Sequence, residues 1–318
     1  MAALGHTVDL GGLEDYLSLN ALEAAQEQDL TDDVGDTYTA TCTSSDETAD
    51  TTSVTFLGWV TSATCYIELI ADTGHEAVKD GWKTDRYRLE ITEATALDIR
   101  QSHFRITGLQ IGTITSGDCI LGSSIAAGSV WLFSGLRVRG NGIVGTCLYC
   151  VDSDLRLTAW NSIFYNSPDG YGAYTNTSGT GFLNCIIYGC KTGLRATNAI
   201  DCAVFKNNDD FNGGTIDHCA SDDNDGTNNV AGNEADADWT TDFVDAANGD
   251  FTILVDSPLM DGGINDPGSG LYSTDIEGDT YVVDSWPVGV DQYMAGGGEI
   301  SMPLVMLQHD HFSGGKML

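Results

Sequence analysis

The sequence predicts an all-β chain: a single right-handed parallel β-helix with an N-terminal capping helix and a C-terminal extension. Three observations carry this. The 318 residues include 38 Gly, only 5 Pro and 42% hydrophobic residues, a mixture of short apolar runs and turn formers. A short unit recurs from Tyr87 onward. Only one stretch reads as helix.

That stretch is Asp15 to Leu30. Leu17, Leu19, Leu22, Ala25 and Leu30 give it an apolar face, and Ser18 or Asn20 can cap its start. A helix at one end covers the open first coil of a solenoid. Residues 1–37 are therefore read as an N-terminal cap. Tyr38–Cys42, Ser53–Trp59 and Cys65–Ile70 follow as strands, and Thr73 to Lys83 as a loop leaving the wall.

The recurring unit is a small polar residue or glycine followed by apolar residues. It appears as Gly108-Leu-Gln-Ile111, Gly135-Leu-Arg-Val138, Asn161-Ser-Ile-Phe164, Asn184-Cys-Ile-Ile187, Asp201-Cys-Ala-Val204 and Asp217-His-Cys-Ala220. Aligning Ile111, Val138, Ile163, Ile186, Val204 and Ala220 gives steps of 27, 25, 23, 18 and 16 residues. Such a variable period marks coils with loops of different size. Stacked coils place like side chains over one another. Cys185, Cys202 and Cys219, spaced by 17 and 17, are expected to form one internal column, and Asn161, Asn184 and Asp201 a polar ladder at a turn. The coils are assigned to residues 38–256, a closing segment to 257–295 and a glycine-hinged tail to 296–318.

Charge and cysteine usage narrow the function. There are 47 Asp and Glu against 13 Lys and Arg, a formal net charge of −34. Such a surface repels phosphate backbones and anionic membranes, so neither nucleic acid nor membrane is an expected partner. No apolar run approaches the ~20 residues of a membrane span. The N-terminal residues have no basic or apolar region of a secretory signal. Nine cysteines, an odd number, fit buried thiols made in a reducing compartment. Cys147-x-x-Cys150 stands alone, without a second pair at zinc spacing.

Two regions resemble a known group. Ser257-Pro-Leu-Met-Asp261-Gly-Gly, Thr274-Asp-Ile-Glu-Gly278 and Gly289-Val-Asp-Gln-Tyr293 resemble the closing segment of bacterial and phage right-handed β-helix repeat proteins, differing at Met260, Gly262 and Gln292. Gly11-Gly12, Asp15 to Ala25, Asp29-Leu30 and Tyr38 to Cys42 are similar to the N-terminal cap of such proteins from tailed phages, prophages and marine metagenomes. Cys219 to Asp223 and Val244 to Phe251 look like the same group. The resemblance implies a pectin-lyase-like β-helix. It leaves the activity open, because that fold carries enzymes, adhesins and virion parts.

For polysaccharide cleavage the nearest paired carboxylates are Asp209 and Asp210, with His218 one coil later. Arg105, Arg137 and Arg156 are placed on successive coils, where they could line one wall. Gly-His-Gly and Arg-x-Lys, which hydrolases of the fold carry, do not occur. For calcium the candidates are Asp222, Asp223 and Asp225 in an acidic loop, in a segment that lacks the bidentate Glu of an EF-hand. His309 and His311 form a bare HxH in the tail. An adhesin would need exposed aromatics in a row, with Trp59, Trp82, Trp131, Trp160 and Tyr171 as candidates.

The expected function is a non-enzymatic structural or surface protein of a phage virion: a capsid decoration, head spike or tail spike. It would be a homotrimer made in the host cytoplasm and assembled with other virion proteins, needing no cofactor. Ile300, Leu304, Val305 and Leu307 in the tail are the expected clasp. The alternatives are a polysaccharide lyase or glycoside hydrolase, or a carbohydrate-binding adhesin.

Overall fold

The computed structural model describes residues 3–12, 15–31, 36–123, 125–141, 145–152, 154–176, 179–223, 225–227, 230, 239–264, 273–281 and 286–291. Ile300, Leu304, Val305, Leu307, His309 and His311 lie outside the described residues.

Three parallel sheets form the walls of a β-helix. The first wall runs through Ala3–Asp9, Thr37–Thr43, Ile67–Ala71, His103–Thr107, Val130–Ser134, Arg156–Trp160, Gly181–Leu183, Asn198–Ile200 and Thr215–Asp217. The second comprises Arg88–Ile91, Gln110–Thr113, Arg137–Gly140, Ile163–Tyr165, Ile186–Tyr188, Ala203–Phe205 and Ala220–Ser221. The third comprises Val54–Phe56, Leu97–Ile99, Ile120–Gly122, Leu148–Cys150, Tyr171–Thr175 and Thr192–Arg195. Each complete coil contributes one strand per wall, and the end coils fewer, so no coil can bury its inner face alone.

The predicted helix is shorter than its apolar pattern and spans Leu19–Gln26. Ser18 caps it, its hydroxyl accepting from Ala21 N at 3.0 Å. Leu19 and Leu22 are buried, and the helix packs on Val54–Phe56, the terminal strand of the third wall. The strand Ala3–Asp9 lies ahead of this helix in the residues read from sequence as a cap, and it opens the first wall.

The pairings revise the sequence alignment. Ile111, Val138, Phe164, Ile187, Val204 and Ser221 occupy one register, giving steps of 27, 26, 23, 17 and 17 residues. Ile163 and Ile186 stand one place earlier, so they face the opposite side of the wall from Val138. The slip escaped notice in the sequence because the second wall is buried on both faces, which erases polar–apolar alternation. Inside the coils, Val138, Phe164, Ile187 and Val204 belong to the main core. Outside, Ile163, Ile186, Ala203 and Ala220 belong to a second core.

That second core is completed by residues within 239–264, 273–281 and 286–291, which lie over the outside of the second wall as a strap. Trp239, Phe243, Phe251, Ile253, Leu259, Val288 and Val290 close onto it. Phe243–Asp245 and Asp250–Ile253, within the stretch assigned to coils from sequence, are short strands that form an antiparallel hairpin outside the stack. Phe243 stacks on Phe205 at 5.1 Å between ring centroids, and Trp239 Nε1 donates to Ser221 O at 3.1 Å. Among the described residues no helix is long and apolar enough to cross a membrane.

The polar unit of the repeat has a backbone cause. Gly108, Gly135, Asn161, Asn184, Asp201 and His218 each stand two residues before a second-wall strand, with φ between 48° and 75°. This left-handed corner suits Gly first, then Asn, Asp and His. Asn184 Nδ2 donates to Asn161 Oδ1 at 3.0 Å, the expected ladder, and Asp201 continues the corner column. Asp201 turns its carboxylate to the strap, accepting from Ile264 N at 2.8 Å. The cysteine column also forms: Cys185, Cys202 and Cys219 are buried, and Cys202 N donates to Cys219 Sγ at 3.4 Å. Cys147 sits against Cys119 and Cys190 in a second column that even spacing does not reveal. All nine cysteines are buried and outside any disulfide.

Candidate functional site

The carboxylates singled out from sequence gather at one corner but are committed to holding it. Asp210 is fully buried. Its Oδ1 accepts from Asn207 Nδ2 at 2.9 Å, and its Oδ2 accepts from Ser221 Oγ at 3.1 Å and Asp222 N at 2.6 Å. Burial pushes its pKa up to about 7; the Asn207 and Asp222 hydrogen bonds pull the other way, and the nearby Asp222 and Asp223 charges add to the rise. Asp223 Oδ2 accepts from Asp210 N, and Asp222 Oδ2 from Lys206 N, both at 2.7 Å. These bonds tie the turn after Ala203–Phe205 to the turn after Ala220–Ser221. Asp209 is half-buried, and its Oδ2 accepts from Asn212 Nδ2 at 2.9 Å. Asp225 feels the charges of Asp223 and Asp209, and burial first and these charges second raise its pKa.

His218 does not join this corner. It occupies the left-handed turn before Ala220–Ser221, whereas Asp210 and Asp222 meet after that strand. The two groups therefore lie at opposite edges of the second wall. The three arginines do sit on successive coils but line no common groove. Arg105 and Arg156 occupy different register columns of the first wall, and Arg137 belongs to the second.

Arg137 is buried between wall and strap. Its Nη1 donates to Val78 O at 2.8 Å and Lys79 O at 3.2 Å, its Nε to Tyr165 Oη at 3.3 Å, and its Nη2 to Gly249 O. Beside it, three carboxylates converge on Lys79. The Nζ lies 2.5 Å from Asp291 Oδ1, 3.2 Å from Glu277 Oε2 and 4.0 Å from Asp275 Oδ2. Asp275, Glu277 and Asp291 are the one group of three metal-type ligands that converges among the described residues. The lysine ammonium already supplies positive charge there. Burial alone would lower the Lys79 pKa, but Glu277, Asp291 and Asp275 outweigh it and raise it. Burial also lifts Asp275 to about 7, aided by Glu277 and opposed by Lys79. These acids come from the Asp-Ile-Glu-Gly and Gly-Val-Asp motifs, so both motifs clamp the 72–86 excursion rather than form a catalytic pair.

The third wall carries the feature that sequence reasoning missed. Leu121, Tyr149, Tyr174 and Arg195 form one register column that points outward. Tyr149 and Tyr174 lie 5.1 Å apart between ring centroids at 30°, Tyr171 meets Tyr174 edge-on at 4.7 Å, and the Arg195 guanidinium lies 4.8 Å from the Tyr174 ring. Of the five aromatics named from sequence, only Tyr171 is here. Trp59 and Trp131 are buried, Trp82 packs against Arg139 at 4.1 Å, and Trp160 packs against the Leu183–Tyr281 cluster. The signal available was the spacing of 25 residues between Tyr149 and Tyr174, one coil.

Comparison with protein-family models, curated proteins and solved structures found no match.

Proposed function

We propose that the protein is a non-enzymatic structural or surface element of a phage virion: a capsid decoration, head spike or tail spike acting as a rigid β-helix. The observation that carries this reading is the commitment of its acidic groups. Asp210, Asp222 and Asp223 cap backbone N–H groups, and Asp275, Glu277 and Asp291 surround Lys79. A hydrolase or lyase needs carboxylates aimed at a substrate cleft, with an acid or base at reach. Here His218 and Asp210 stand at opposite edges of a wall. The parallel stack, with a strap sealing one of its outer faces, suits a load-bearing part. The resemblance of the cap and closing segments to phage and prophage β-helix repeat proteins of pectin-lyase-like type supports the virion setting.

The assembly is proposed as a homotrimer clasped through Ile300, Leu304, Val305 and Leu307. Light scattering on the full chain and on a chain ending at Gly296 tests it. The expected result is a trimer that falls to a monomer on truncation. A monomer in both cases overturns the clasp and the trimer.

A further inference from the structure

The Lys79 cluster holds a primary amine against a carboxyl group. The Nζ lies 2.5 Å from Asp291 Oδ1, and Asp291 is buried. We infer that Lys79 Nζ condenses with the Asp291 side chain, forming an amide cross-link between the 72–86 excursion and the strap. The ion cluster described above is the unreacted form of this site. The cross-link goes beyond the assembly reading and does not depend on it.

Both reactants are held in place. Lys79 N donates to Glu277 Oε1 at 2.9 Å, and Lys79 O accepts from Phe251 N at 2.9 Å and Arg137 Nη1 at 3.2 Å. Asp291 Oδ2 accepts from Ile253 N at 2.7 Å. Ile276 N donates to Val290 O at 3.0 Å, which sets Glu277 beside Asp291. Asp275 Oδ1 accepts from Glu277 N at 3.0 Å and Asp279 N at 2.8 Å, and its Oδ2 lies 4.0 Å from Nζ. Groups fixed in this way react as one molecule rather than two, and burial keeps out the water that would hydrolyse the product. Lys83 gives the contrast. Its Nζ lies 2.9 Å from Asp80 Oδ2, but that pair is open to water and stays an ion pair.

The step balances without a co-reactant, because one ammonium and one carboxylate give one amide and one water. The surrounding carboxylates raise the Lys79 pKa, so the amine must first hand over a proton. Glu277 Oε2, 3.2 Å from Nζ, is placed to take it. The nitrogen lone pair then attacks Asp291 Cγ, forming the C–N bond. Negative charge gathers on Oδ2, where the Ile253 N–H already donates, as in an oxyanion hole. The Cγ–Oδ1 bond breaks, and Oδ1 leaves as water with the two protons that Nζ loses, carried by Glu277.

Mass spectrometry of the full chain, folded at neutral pH and then denatured, tests the inference. The expected mass is one water below that of the sequence. A chymotryptic digest should contain the Lys79 and Asp291 peptides joined, and trypsin should not cleave after Lys79. The digest is needed because Asp80, Asp169, Asp225 and Asp261 each precede glycine and can lose the same water as succinimides. Lys79→Arg keeps the positive charge and should show its full sequence mass. Glu277→Gln, which keeps the shape of the side chain, should form the bond about a hundredfold more slowly. A folded wild-type protein that retains its full sequence mass after days at neutral pH overturns the inference. So does a water loss mapped to an Asp-Gly pair alone, or one unchanged in Lys79→Arg. Bond formation at the wild-type rate in Glu277→Gln overturns the proton route.

Discussion

The Lys79 ammonium lies 2.5 Å from Asp291 Oδ1, while Asp291 Oδ2 accepts from Ile253 N at 2.7 Å. One carboxylate thus joins an excursion of the early coils to the hairpin of the strap. Glu277 grips the same lysine twice, its Oε1 accepting from Lys79 N at 2.9 Å. Phe251 N in turn donates to Lys79 O at 2.9 Å. The position of the strap is therefore set by contacts between residues far apart in the chain.

Removing that cation leaves the buried Asp275 and Asp291 carboxylates without their counter-charge. Lys79→Met is expected to lower stability by about 2–4 kcal/mol, below the full penalty for a buried pair because Lys79 retains some solvent contact. Urea unfolding measures the loss. Adding Asp291→Asn to Lys79→Met should recover part of it, since one uncompensated charge is gone. A Lys79→Met protein as stable as wild type would show that the cluster does not hold the strap.

Burial raises the Asp201 pKa to about 8, above the ordinary 3.8. The folded state therefore binds this proton more tightly than the unfolded chain. Its stabilising effect is complete below pH 3.8 and is lost as pH rises through about 8. Asp210 and Asp275, both raised to about 7, act in the same direction. The melting temperature is expected to rise on going from pH 8 to pH 5. Asp201→Asn should flatten that rise and stabilise the protein at pH 8 by about 1–3 kcal/mol. An identical pH profile in the variant would contradict the assignment.

His218 has φ of 53° at a corner otherwise held by Gly, Asn or Asp. His218→Asn should leave the unfolding midpoint unchanged within ~0.5 kcal/mol, whereas His218→Val should cost about 1–2 kcal/mol because a β-branched residue resists this conformation. Equal losses in both variants would point to a role for the imidazole itself.

Asp210→Ala removes the carboxylate that the Asn207 amide, the Ser221 hydroxyl and the Asp222 N–H share. A loss of about 2–3 kcal/mol is expected in thermal or urea unfolding. Asp209→Ala, with its bond to Asn212 on the surface, should stay within ~0.5 kcal/mol. The reverse order would restore Asp209 as the structurally important member of the pair.

The sequence made the coils legible because their corners need special backbone. The recurring Gly, Asn, Asp and His fall at one left-handed turn, and the column Cys185–Cys202–Cys219 follows from two coils of equal length. Register was harder to read. Ile163 and Phe164 are both buried, one under the strap and one in the core, so apolarity could not tell inside from outside. The Tyr149–Tyr174 column depended on that same register. Lys79 gave no local sign of its role, because its carboxylates come from motifs near the other end of the chain. Likewise Asp209, Asp210 and His218 looked like a constellation only while the two edges of the second wall were undistinguished.

Amide hydrogen exchange of the full chain tests the central structural claim, that the segments 239–264, 273–281 and 286–291 form a strap integral to the fold. The account predicts protection at Phe251, Ile253, Val288 and Val290 comparable to that at Phe164 and Ile187 in the second wall, and its selective loss from the strap in Lys79→Met. Exchange of those strap amides within seconds in the wild-type protein, with the wall still protected, would contradict it.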